Sequence, residues 1–177
     1  MKEAMQIGYL QSAIREFEAY KDLGEKAITQ LSGSQIHWQP NPESNSVAII
    51  IKHLSGNMVS RWSDFLHTDG EKADRNRDAE FVDTNEDFSE LMKQWGFGWD
   101  ALFSAIKPLK DDDDMRKIIY IRKKPQTVYQ AINRQLTHYA YHIGQIVYIA
   151  KQVKGQEWVN LSIPVGKSAD FNKAQGM

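Results

Sequence analysis

His138 and His142 stand four residues apart in the segment His138-Tyr139-Ala140-Tyr141-His142. On a helix that spacing places both imidazoles on one face, one turn apart. Two such nitrogens can reach a single ion at about 2.0–2.1 Å each. Two histidines alone more often form an unliganded pair. No Glu follows His138, so the zinc-protease pattern is absent. His53, just after Ile50 and Ile51, offers a third imidazole from a separate apolar segment. Three neutral nitrogens from two helices match open metal sites, which keep positions for water or substrate. The expected ion is divalent, zinc or nickel or one similar. Such a cation favours loss of a proton from a thiol or a water held beside it. The chain has no cysteine, so a thiol nucleophile must arrive as a cosubstrate. Water in its place gives hydrolysis, and the sequence does not choose between them.

Other polar side chains lie one turn from these three. Asn57, four residues after His53, can meet a substrate or serve equally as a hydrogen-bonded spacer between helices. Arg61 can hold an anionic group, although an ion pair with a neighbour such as Asp64 is the simpler reading. Arg134, four residues before His138, can bind a carboxylate or form an ordinary ion pair. Tyr141 can donate a proton, while aromatic residues on such helices mostly fill cores. Gln145, three residues after His142, can partner its ring, although a hydrogen bond between helices is the simpler reading. Lys167 and Ser168 lie in a tail that can fold over the site. His37 and His67 sit in or beside loops and are read as structural, His67 at the end of the second helix.

The elements that must position these groups are helical. Ile7, Leu10, Ile14, Phe17, Ile28 and Leu31 recur at helical spacing from about Lys2 to Leu31. Ser46 is a good N-cap for a second helix from Val47 to about Phe65. The polar stretch from Glu71 to Asp83 reads as a long loop, and such loops are often functional. Thr84 with Asp87 resembles a capping box for a third helix reaching about Lys107. The run Asp111 to Asp114 reads as a solvated turn, and Ile118 to Ile121 as an extended piece. Pro125 suits the first turn of a fourth helix ending near Lys154. Beyond it runs an irregular tail with Trp158, Leu161, Ile163, Val165 and Phe171 as apolar anchors. Four long amphipathic segments in 177 residues imply one all-α domain, residues 1–177, built as a four-helix bundle with a long connection between its second and third helices.

The bulk numbers exclude several classes. Lys and Arg total 22 against 23 Asp and Glu, a net charge of -1. Nothing in that balance favours nucleic acid or an anionic membrane surface. No apolar run approaches the roughly 20 residues that cross a bilayer. The first residues lack the apolar centre of a signal peptide, which fits a cytoplasmic location. Asp74 to Asn85 begins like a calcium loop but has Ala79 and Asn85 where that loop needs Gly and Glu. Glu-x-x-His pairs, needed by carboxylate di-iron bundles, are absent from the fourth helix.

Three stretches resemble a known group. Asn45 to Gly70, NSVAIIIKHLSGNMVSRWSDFLHTDG, resembles the second helix of the DinB-like superfamily. Pro125 to Lys151, with AINRQLTHYAYHIGQIVYIAK, resembles its histidine-bearing last helix. The tail LSIPVGKSADFN is similar to the ending of one bacterial branch. The resemblance implies a four-helix bundle, commonly a homodimer, with a metal on three histidines. Those fall on His53, His138 and His142. Relatives include bacillithiol- and mycothiol-dependent S-transferases and a maleylpyruvate isomerase. Two functions stay open: an S-transferase joining a small thiol to an electrophile, and a non-enzymatic metal-stabilised bundle that binds a ligand or partner.

Overall fold

The computed structural model describes residues 7–110 and 112–177. Six α-helices and one two-stranded sheet make up its regular structure: α1 (Tyr9–Ile28), α2 (Val47–Trp62), α3 (Phe88–Ile106), α4 (Asp112–Arg116), β1 (Ile118–Ile121), β2 (Lys124–Thr127), α5 (Val128–Lys154) and α6 (Ser168–Ala174). The expected start of the first helix, residues 2–6, lies outside the described residues. The fold is mostly helical, as the periodicity implies, with a hairpin added.

The four long helices share one core. Helix α2 is its centre, because Val47 to Ile51 are all buried and only the other helices can cover so apolar a segment. Ser46 starts it, its Oγ accepting from the Ile49 amide at 3.2 Å. Helix α3 lies close along α2. A Cβ on Gly98 would stand 2.8 Å from Ser55 Cα, so only glycine permits that approach. Helix α1 packs on α5. Phe17, Trp99 and Tyr139, from α1, α3 and α5, meet at ring separations of 5.8–6.5 Å. Such tilted and edge-on contacts suit aromatic quadrupoles. No helix of the described chain is long and apolar enough to cross a membrane.

Three boundaries differ from expectation. Asp87, not Thr84, caps α3, accepting from the Glu90 amide at 2.9 Å, while the Thr84 hydroxyl donates to Glu86. Pro125 lies in β2, and α5 begins after Thr127. Thr127 and Gln130 form a reciprocal capping box there, satisfying two orphan donors that Pro125 could not. Residues Asp112–Arg116 form a short helix instead of a turn. The tail also departs from its reading. It contains α6, and Ile163, Val165 and Phe171 are exposed, whereas Trp158 and Leu161 pack against the core.

The hairpin bears directly on function. Arg122 and Lys123 form its two-residue turn with φ of 54° and 61°. A left-handed pair is the turn that matches strand twist, though Asn-Gly is its usual sequence. Asp69 supplies the missing support, its carboxylate accepting from the amides of Arg122 at 2.8 Å and Lys123 at 2.7 Å. The Gly70 amide donates to the Tyr120 carbonyl at 2.8 Å. Arg122 is thereby fixed beside the C-terminal half of α2.

Candidate metal centre

His53 from α2 and His138 and His142 from α5 converge. Each offers a nitrogen, and these nitrogens all lie within 4.8 Å of one another. His53 and His142 are buried and His138 half-buried. His53 Nε2 and His138 Nε2 are 3.3 Å apart. A separation of this size fits nitrogens about 2.0–2.1 Å from a shared ion.

The distal nitrogens decide whether the rings suit a metal. His53 Nδ1 lies 2.9 Å from Glu80 Oε2, and His142 Nδ1 lies 2.8 Å from Gln145 Oε1. Each oxygen accepts the Nδ1–H, which leaves the Nε2 lone pair for the centre. Gln145 thus sits where its spacing implied. Burial first, then the like charges of His142 and His53, push His138 down to about 3. Burial and His53 push His142 down to about 4, against the opposing bond from Gln145. Both are neutral at physiological pH and ready to act as ligands. The donor set, tautomers and protonation fit a metal ion.

Glu80 is the main group that sequence reasoning missed. It sits in a 3-10 turn, Asp78–Phe81, within the polar connection between α2 and α3. Arg75 grips it with both arms, Nε to Oε1 at 2.7 Å and a terminal nitrogen to Oε2 at 2.8 Å. Burial raises the Glu80 carboxyl, but the bonds from His53 and Arg75 outweigh it and hold the group below the usual carboxylate range. Phe81 lies against the His53 ring at 4.7 Å. Gly56 makes room for this arrangement, since a Cβ there would come 2.3 Å from Glu80 Oε1. A glycine in mid-helix, one turn after a candidate ligand, was the available signal.

The histidines face a cavity of about 510 Å³. It reaches solvent past Tyr141, which is 55% exposed. Asn57, Arg61, Arg134 and Tyr141, the candidate helpers, all line it. Asn57 Oδ1 accepts from the Tyr139 hydroxyl at 3.2 Å, the inter-helix role considered for it. Arg61 pairs with Glu71 at 2.9 Å and donates to the Gly70 carbonyl; Asp64 is not its partner. Burial raises the Tyr141 phenol above its ordinary value, against the opposing charge of Arg77, so it stays protonated. Lys167 pairs with Asp170, and neither it nor Ser168 lines the cavity. His37 is clamped between the Asp83 carboxylate and the Glu86 carbonyl, a structural role that ties the loop down.

No curated protein and no solved structure matches the chain. Residues 4–167, nearly the whole length, match one family, described as a protein of unknown function. The chain belongs to that family, DUF1572.

Proposed function

We propose that this chain is a divalent-metal-dependent enzyme, a thiol S-transferase that takes a low-molecular-weight thiol as cosubstrate. Its four long helices act as a four-helix bundle of the DinB-like type, working as a cytoplasmic homodimer. The observation that carries the reading is the convergence of three histidine nitrogens, two braced from behind, at a cavity open to solvent. A purely structural site has no need of that opening. Bound there, zinc or nickel would supply Lewis acidity that favours a thiolate over a thiol.

The chain's own residues have defined tasks. Glu80 and Gln145 fix the tautomers of His53 and His142. In the reaction the thiol gives its proton to solvent and its sulfur bonds to the electrophile. The leaving group departs with the bonding electrons. Tyr141, protonated and in the cavity wall, is placed to return a proton to it. Arg61 and Arg134 orient the substrate, and Asn57 shapes the wall beside His53.

A second reading has one observation of its own. The chain Arg75–Glu80–His53 ties the polar loop to α2, as the frame of a structural metal site would. The test is metal content by plasma mass spectrometry in the native chain and in His138→Ala, followed by a transfer screen across bacterial thiols. An ion lost in the variant, with turnover lost alongside it, supports the transferase. An ion whose removal lowers stability while no thiol turns over supports the structural reading. No ion after loading with zinc, nickel or manganese overturns both.

A further inference from the structure

We propose that the cavity in front of the histidines is an anion subsite, shaped for a small molecule that carries a negative group. This rests on reading the three histidines as the reacting centre, and it names the substrate class of that centre.

Five guanidinium groups line the cavity: Arg61 from α2, Arg75 and Arg77 from the connection, Arg122 from the hairpin turn and Arg134 from α5. No carboxylate lines it. Glu71 and Glu80 stand behind the wall. Glu71 pairs with Arg61 and Arg122, and Glu80 with Arg75. Among the described residues no carboxylate pairs with Arg77 or Arg134. Five positive groups against two negative ones leave an excess of three at this spot, in a chain whose net charge is -1. Arg77 is further held over the Phe81 ring at 4.7 Å, which keeps its guanidinium at the cavity. Guanidinium forks in a partly desolvated cleft match carboxylate and phosphate oxygens.

The test is calorimetric titration of the full, metal-free chain at low ionic strength with phosphate and propionate. Saturable binding is expected, and the tighter probe assigns the group as phosphate or carboxylate. Arg77→Gln and Arg134→Gln should each weaken binding by about tenfold. Lys151→Gln, on the exposed last turn of α5, should change nothing, and circular dichroism confirms each variant is folded. Binding too weak to saturate, or equal losses from Lys151→Gln and the arginine variants, would overturn the subsite. Because no metal is present, anion binding with no metal uptake leaves this inference standing and sinks the metal reading. Metal uptake without anion binding does the reverse.

Discussion

The Glu80 carboxylate accepts the Nδ1–H of His53 at 2.9 Å while Arg75 holds it from the other side at 2.7 Å. A carboxylate behind a ligating imidazole raises its basicity and fixes its ring. Glu80→Gln keeps the shape but removes the charge. It should lower zinc affinity by about tenfold or more, read by competition with a chromophoric chelator. Glu90→Gln, exposed on the first turn of α3, should leave affinity unchanged. Equal affinity in both variants would remove Glu80 from the site.

Gly56 and Glu80 form a coupled pair whose sign can be tested. A methyl on Gly56 meets Oε1 at 2.3 Å and Cδ at 2.8 Å. A free side chain would swing away, but Arg75 and His53 tether this one. Gly56→Ala should therefore destabilise the chain by about 1–3 kcal/mol in denaturant unfolding. In a Glu80→Ala background the obstacle is gone, and the same substitution should stabilise by up to about 1 kcal/mol through helix propensity. The same sign in both backgrounds would mean that the contact is not what glycine serves.

The histidine triad was legible in the sequence for a physical reason. His138 and His142 share one long helix, whose period alone puts them on one face. His53 follows a run so apolar that its helix had to be central. Glu80 was hidden because its link to His53 spans 27 residues and comes from a loop without periodicity. Arg75, Arg77 and Arg122 were hidden for the same reason, since the connection and the hairpin turn bring them beside Arg61 and Arg134, whose helical spacing from the histidines was legible. Pro125 misled because its fixed φ suits a helix start and an edge strand alike. Only the Thr127–Gln130 capping box separates those options.

The depressed histidines also set a pH dependence for the metal-free chain. His138 is held at about 3 and His142 at about 4 in the fold, whereas each titrates near 6.5 when unfolded. Below the unfolded value the unfolded chain binds more protons, so stability falls as pH falls. It is full above about pH 6.5 and declines toward about pH 4. Glu80 and Asp83, held below their usual values, lose their contribution only at lower pH, so the upper window reports the histidines. Thermal melts of the metal-free chain should fall between about pH 7 and pH 5. His138→Gln/His142→Gln should flatten that slope, and an unchanged slope would assign it elsewhere.

Tyr139 links the core to the site through its hydroxyl. The group is fully buried, accepts from Trp62 Nε1 at 3.2 Å and donates to Asn57 Oδ1 at 3.2 Å. Tyr139→Phe keeps the ring packing against Phe17 and Trp99 but strips both neighbours of their partner. Leaving buried polar atoms unmet costs about 1–3 kcal/mol, and that loss should appear in denaturant unfolding. Tyr148→Phe, on the exposed face of α5, should cost nothing measurable. Metal content should not change, because Tyr139 touches none of the histidine nitrogens that face the centre. Turnover is the informative readout. Asn57 shares the cavity wall with His53, so releasing it from Tyr139 lets its amide rotate. A fall in turnover at constant metal content would show that Asn57 orientation matters to the reaction. Unchanged turnover would confine Asn57 to bridging α2 and α5.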